Sequence, residues 1–214
     1  MRAFETWTID DLQIEFNIQR NLESKLLTNW TSIEKKVDEF QTKVLIMLSQ
    51  KLLLYVNTWN EDELKMQFIG PLLILVDFNT DKYKAFSQRT LTAKIKNIEV
   101  SGKVDFMVAS GLQKPRTPFF FLHEYKPSRR AVNDPDGQLL IEMLAAKTIN
   151  NSNNPLYGAL VEGRFWYFVV LIQNEYTISR AYDATGNDIF EIYSILCKVK
   201  DYIDKIITKT EAIL

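Results

Sequence analysis

Three charged residues stand out because each lies within, or directly after, an apolar run. Asp105 interrupts the run Val104–Ala109, and Glu124 and Lys126 follow the run Pro118–Leu122. Two apolar runs joined by a polar link with Gly and Pro predict two strands and a loop. Since strand side chains alternate between faces, Glu124 and Lys126 should share a face, with Asp105 beside them if the strands pair. Charges at such an apolar sheet edge are costly to desolvate unless they, or a metal ion, compensate one another.

Upstream of these residues the sequence predicts a helix that begins after Asn60. Asn60 is a favourable N-cap, and Glu63 three residues later completes an approximate capping box. Apolar residues then recur at helical spacing as far as Val76, and Pro71 should kink or tighten the helix. Glu63 therefore has two interpretations, as a helix cap and as a site residue.

Downstream of the central strands a second helix is predicted from Gln138. Gln138 and Glu142 are four residues apart and should lie on one side of that helix. The nearly continuous apolar runs Leu156–Val161 and Phe165–Ile172 predict strands buried on both faces. A long helix should follow from about Ile189.

The remaining segments complete a mixed α/β pattern. Helical spacing appears over Ile9–Trp30 and Ile33–Tyr55, which predicts a helical extension over residues 1–58 before a domain over residues 59–214. Tyr83–Ile98 should form one bent strand or two short ones, and Tyr176–Tyr182 a further strand.

Composition points to a globular protein of the cytoplasm. Apolar residues make up 46% of the chain and charged residues 25%. No stretch reaches the roughly 18 apolar residues of a membrane helix, and the first residues lack a secretory signal, so no membrane partner is expected. The single Cys197 excludes an internal disulfide and fits a reducing compartment.

The distribution of charge says more than the net charge of −1. Between Lys82 and Arg130 there are eleven basic residues and three acidic ones. A basic middle between acidic flanks suggests a surface that faces a polyanion. The alternative is a set of solvated strand faces.

At this point the chain resembles the PD-(D/E)XK nuclease superfamily, whose core runs helix, three strands, helix, strand. Asp105 matches the acidic residue of the second strand, and Glu124, Tyr125 and Lys126 match the (D/E)-x-K of the third. Val104 stands where the superfamily's name has proline. The resemblance covers roughly residues 59–172.

The flanking helices extend the resemblance. The stretch NEDELKMQFIGPLL is similar to the first helix of a subgroup akin to restriction-enzyme nuclease domains, and it places Glu63 at the acidic position. Gln138 lies where many members carry a helix glutamine. The resemblance thus implies a three-layer α/β/α restriction-endonuclease-like fold with a mixed central sheet, preceded by the helical extension.

The implied activity is a Mg²⁺-dependent, endonuclease-like cleavage of phosphodiester bonds in nucleic acid, with DNA expected and Mn²⁺ able to replace Mg²⁺. The metal ligands would be Asp105, Glu124 and the Tyr125 carbonyl, with water and a phosphate completing an octahedron. Such an ion acidifies its water and neutralises charge on phosphorus, while Lys126 orients that water or acts as a fixed cation. The implied catalytic set is Asp105, Glu124, Lys126, Glu63 and Gln138. The candidates for phosphate contacts are Lys103, Arg116, Arg129 and Arg130.

Other interpretations stay open. The three charged residues could form a partly exposed salt bridge on an ordinary sheet. A nuclease fold could serve for binding or regulation without cleavage, and the N-terminal helices could form an oligomer, such as a homodimer. His123, the single histidine, alternates away from Glu124 and Lys126, which argues against a His-metal nuclease, a zinc site or a Ser-His-Asp triad.

Overall fold

A computed structural model describes residues 1–32, 37–127 and 134–211, and its strands form one mixed sheet. The strands are β1 (Arg2–Ala3), β2 (Gln19–Arg20), β3 (Lys84–Ile95), β4 (Ile98–Ser110), β5 (Arg116–Lys126), β6 (Leu156–Glu162), β7 (Phe165–Ile172), β8 (Glu175–Ile178) and β9 (Tyr182–Asp183). Their order is β1-β4-β5-β6-β7-β8-β2, with β3 also paired to β4 and β9 to β7. The pairs β1–β4, β5–β6 and β2–β8 are parallel, and the others are antiparallel.

Helices cover the sheet from both sides. They are α1 (Ile9–Phe16), α2 (Lys25–Thr31), α3 (Glu39–Tyr55), α4 (Glu61–Leu64), α5 (Gly70–Val76), α6 (Pro135–Asn150) and α7 (Asp188–Glu211), with a 3₁₀ turn over Phe4–Thr6 and a π-helical turn over Lys65–Ile69 between α4 and α5. Apolar residues of α1 and α6 form one core with the sheet, and those of α2, α3, α5 and α7 form the other. The arrangement is compatible with a three-layer α/β fold. None of the helices in the described part of the chain is long and apolar enough to cross a membrane.

Strand β5 runs through the middle of this structure, which explains its burial. It pairs with β4 on one side and β6 on the other, and both of its faces are covered by core residues. Residues 119–125 are consequently all buried, and the carboxyl-bearing Glu124 is only 1% exposed. A charged residue in this strand therefore has to find its partners inside the protein.

The N-terminal region departs from the prediction. The helix predicted over Ile9–Trp30 is interrupted, because Asn17 adopts a left-handed conformation that ends α1, and β2 follows before α2 begins. Residues 1–58 are therefore not purely helical, since β1 and β2 extend the sheet at the two ends of its order. The predicted start at Ile33 lies outside the described residues, and the observed helix α3 begins at Glu39, capped by Asp38.

The later elements agree more closely. The two central strands, the helix containing Gln138, the two apolar strands and the last helix are all present. Tyr83–Ile98 forms mainly the single long strand β3, and the predicted strand Tyr176–Tyr182 is divided between β8 and β9. Pro71, which was predicted to kink or tighten its helix, lies in the first turn of α5. A wider π-helical turn precedes it, in which the Gly70 N–H bonds to the Lys65 carbonyl.

Candidate active site

The pairing of β4 with β5 brings Asp105 and Glu124 together. Phe106 lies opposite His123, so the next pair of positions along the strands is Asp105 and Glu124. The Tyr125 N–H donates to Asp105 Oδ2 over 2.9 Å, which fixes the Asp105 carboxylate against β5. The Asp105 side chain is 10% exposed. Two carboxylates from neighbouring strands thus meet near the end of β5.

Lys126 lies on the same face of β5 as Glu124, as strand alternation requires. Its Nζ is 2.5 Å from Glu124 Oε1, and its side chain is 19% exposed. Burial alone would lower the pKa of Lys126, but the Glu124 charge and hydrogen bond raise it above its usual value. Lys126 is therefore a charged ammonium that the buried acid holds in place.

Helix α6 covers this pair with two further polar side chains. Lys126 Nζ donates to Gln138 Oε1 over 3.1 Å, and Gln138 Nε2 donates to Glu142 Oε1 over 3.2 Å. Glu142 is fully buried. The side chains Glu124, Lys126, Gln138 and Glu142 therefore form a continuous chain from β5 into α6.

A second cation approaches Asp105 from the opposite layer of helices. Lys65, in the π-helical turn after α4, donates from Nζ to Asp105 Oδ1 over 2.8 Å and pairs with Glu61 Oε1 one turn before it. Gln88 Nε2 also donates to Asp105 Oδ1, over 2.5 Å. Gln88 lies within β3 between the residues that pair with Phe106 and Val104, and so faces Asp105, with a φ of 53°. Asp105 thus accepts three hydrogen bonds, from β3, β5 and the helix.

The carboxyls on the α6 side are less well satisfied. Among the described residues, Glu124 Oε2 and Glu142 Oε2 are buried and have no hydrogen-bond partner. Burial, followed by the nearby Asp105 charge, raises the pKa of Glu124 to about 8. Burial, followed by Glu124, raises the pKa of Glu142 well above its usual value. These groups favour a bound proton or another cation.

Two residues of this site, Asp105 and Glu124, are of the ligand type that a hydrated divalent cation takes. The orphaned Glu124 Oε2 is a hard oxygen ligand, and Asp105 Oδ2 keeps a lone pair beyond the one used by the Tyr125 N–H. Within the described ranges no three His, Cys, Asp or Glu side chains are grouped to hold a metal. Two carboxylates with a main-chain carbonyl and several waters suit Mg²⁺, which usually keeps much of its hydration.

Glu63 is not brought to this cluster. Its Oε2 accepts from the Asn60 N–H over 2.8 Å, and its own N–H donates to Asn60 Oδ1 over 2.9 Å. This is a complete capping box on an exposed side chain, so the capping interpretation of Glu63 is confirmed. Glu61, two residues earlier, is the acid of this helix that faces the site through Lys65.

The four predicted phosphate contacts are placed differently. Lys103 is exposed on β4, two residues from Asp105. Arg116 is exposed at the start of β5, ten residues from Lys126, which corresponds to about 30 Å along a strand. Arg129 and Arg130 lie outside the described residues. Of the two basic residues that the structure describes, Lys103 is therefore the one beside the acids.

Four residues of the cluster were not predicted as site residues, namely Glu61, Lys65, Gln88 and Glu142. The spacing of Glu61 and Lys65 marks an i,i+4 ion pair, and that of Gln138 and Glu142 marks a shared helix side, so both signals were in the sequence. Gln88 carries no such signal.

Comparison with known proteins adds no assignment: neither protein-family models nor curated proteins match this sequence. Any functional conclusion has to come from the site itself.

Proposed function

We propose that the chain is a Mg²⁺-dependent, endonuclease-like phosphodiesterase of the PD-(D/E)XK type that acts on nucleic acid, with DNA as the expected substrate. The observation that carries the proposal is the Asp105–Glu124–Lys126 cluster. Two carboxylates from adjacent strands lie beside an ammonium, and one buried carboxylate oxygen has no partner among the described residues. A structural salt bridge between Glu124 and Lys126 does not need a buried carboxylate oxygen that has no partner.

The fold supports the same assignment. The order of α4–α5, β3, β4, β5, α6 and β6 corresponds to the helix, three strands, helix and strand of a restriction-endonuclease-like core. The cytoplasm is part of the proposal, because the single cysteine, Cys197, is free and buried and so fits a reducing compartment.

In this proposal Asp105 and Glu124 hold the cation, with Mn²⁺ able to replace Mg²⁺, and the Tyr125 carbonyl as the third protein ligand. When bound, the ion supplies an acidified water and positive charge at the phosphate. Lys126 carries a second, fixed positive charge to the reacting phosphate, and Gln138 holds its Nζ in position. Lys103 contacts the backbone of the nucleic acid without reading its sequence.

A second candidate is a nuclease-fold module that binds nucleic acid without cleaving it. The observation in its favour is that Asp105 already accepts three hydrogen bonds, from Lys65, Gln88 and the Tyr125 N–H. Such a carboxylate is less available to a metal than a free one, because each ligand bond competes with an existing contact.

Cleavage of supercoiled plasmid distinguishes the two candidates. The purified chain should nick DNA in Mg²⁺ or Mn²⁺ and not in a chelator, and Asp105→Asn and Lys126→Ala should abolish nicking. Glu63→Gln is the matched control, because glutamine preserves the capping box and the side chain lies outside the cluster. Circular dichroism should show that all three variants remain folded.

Two results would refute the proposed nuclease activity. Nicking that survives in Asp105→Asn and Lys126→Ala would come from a contaminant. Salt-sensitive binding of DNA by the wild type, with no cleavage in either metal, would favour the module.

A further inference from the structure

Lys65 is a charged member of the cluster to which the proposed activity assigns no role. Its Nζ lies between two acids, at 2.8 Å from Asp105 Oδ1 and in an ion pair with Glu61 Oε1. The Lys65 side chain is 21% exposed and lies close to the ring of Tyr125, at 5.8 Å from its centroid. A partly exposed ammonium thus lies where the acids meet the solvent.

The local helix geometry presents Lys65 to the site. Between α4 and α5 the backbone widens into a π-helical turn, with the Gly70 N–H bonded to the Lys65 carbonyl five residues earlier. Pro71 follows directly and has no N–H to continue regular α-helical bonding. Single π-helical turns occur frequently at functional sites, because they shift side chains relative to the rest of the helix.

Some carboxylate oxygens of the cluster are therefore paired with a cation, and another is not. Lys65 pairs with Glu61 Oε1 and shares Asp105 Oδ1 with Gln88, whereas Glu124 Oε2 has no partner in the described part of the chain. Burial by itself would lower the pKa of Lys65, but Asp105 and Glu61 raise it above the usual value. The ammonium keeps its positive charge at neutral pH.

We propose that Lys65 takes the place of a second divalent ion between Glu61 and Asp105, so that the chain binds one divalent cation. This inference rests on the proposed function, since it concerns the metal content of the same site. In two-metal sites the ions lie about 3.5–4 Å apart and share ligands. An ammonium on Asp105 Oδ1 would stand in place of one of these two ions and would repel a second cation.

The number of divalent ions bound per chain is measured by titration with Mn²⁺ alone. Calorimetry and the electron paramagnetic resonance signal of free Mn²⁺ follow the titration. The wild type should bind one Mn²⁺ per chain. Lys65→Met, and Lys65→Gln, which keeps a polar side chain but loses the positive charge that repels a second ion, should each bind two. The double variant Glu61→Gln/Lys65→Met should return to one, because the second position loses a carboxylate. Thermal melting in a chelator checks the fold of each variant, and Lys65→Gln serves if Lys65→Met does not fold.

The matched control is Lys43→Met. Lys43 forms an i,i+4 ion pair with Glu39 like that between Lys65 and Glu61, but on an exposed surface of α3. This variant should still bind one Mn²⁺, since the Lys43–Glu39 pair is exposed and includes neither Glu61 nor Asp105.

The outcomes separate the two proposals. Two Mn²⁺ ions in the wild type, or one in both single variants of Lys65, would overturn the role of Lys65 and leave the metal-dependent activity standing. No Mn²⁺ in the wild type would remove the metal site, and with it both proposals.

Discussion

The difference in unfolding free energy between Glu124→Gln and the metal-free wild type should move in favour of the variant as the pH rises from 5 to 7. Burial and the nearby Asp105 raise the pKa of Glu124 from 4.5 to about 8 in the folded chain. The folded protein therefore holds this proton more tightly than the unfolded one. The stability that results is complete below pH 4.5 and is lost as the pH rises towards 8.

The size of the effect follows from the two pKa values. With about 1.4 kcal/mol for each tenfold change in proton affinity, the cost of Glu124 grows from ~1 kcal/mol at pH 5 to ~3 kcal/mol at pH 7. Glutamine has the same shape and never ionises, so it does not bear this cost. Relative to the wild type, Glu124→Gln should therefore gain about 2–3 kcal/mol of unfolding free energy between pH 5 and pH 7.

Urea unfolding followed by fluorescence of the four tryptophans measures this difference. Wild type and Glu124→Gln are compared at pH 5 and pH 7 in the presence of a chelator. Glu39→Gln is the control, because it makes the same substitution at a side chain that is 84% exposed. If Glu124→Gln were equally destabilising at both pH values, Glu124 would be a well-satisfied partner of Lys126. The inference that the ionised Glu124 lowers the unfolding free energy would then be wrong.

Two further predictions concern the glutamine of α6 and the predicted homodimer. Gln138→Leu should lower the rate of plasmid cleavage by about tenfold, because it removes the group that positions the Lys126 Nζ. The loss should be smaller than in Lys126→Ala. An equal loss in both variants would mean that Gln138 itself contacts the reacting groups. Helix α3 exposes Phe40, Met47 and Leu54 at seven-residue spacing, 69%, 56% and 71% exposed, so a dimer through the N-terminal helices should use this stripe. Sedimentation should show a wild-type dimer that Met47→Lys converts to a monomer. A monomeric wild type would contradict the predicted homodimer.

The strands that carry the acids were predictable because their pattern depends on local rules. Apolar runs bounded by turn residues predicted β4 and β5, and alternation placed Glu124 and Lys126 on one face. The capping box at Asn60 and Glu63 followed from spacing alone. These features need only neighbouring residues, so a single sequence contains enough information.

The rest depended on contacts between residues distant in sequence. Lys65 meets Asp105 forty residues later, and the π-helical turn that directs it has no simple sequence signature. Asn17 ends α1 because an asparagine tolerates the left-handed conformation, although the apolar spacing continues beyond it. The spacing of apolar residues alone does not indicate such an interruption.

The same limitation explains why the acid of α4 was assigned to Glu63 and not to Glu61. Both belong to the first turn of one helix, and they differ only in which side of that helix faces the sheet. Glu63 turns back to the Asn60 N–H, while Glu61 reaches Lys65 and, through it, Asp105. Both acids have local partners, but the partner of Glu63 is the helix cap, whereas the partner of Glu61 is Lys65, which also reaches Asp105 forty residues later. An acid paired with a cation that contacts a distant strand is therefore a better candidate for a site than an acid that only caps its own helix.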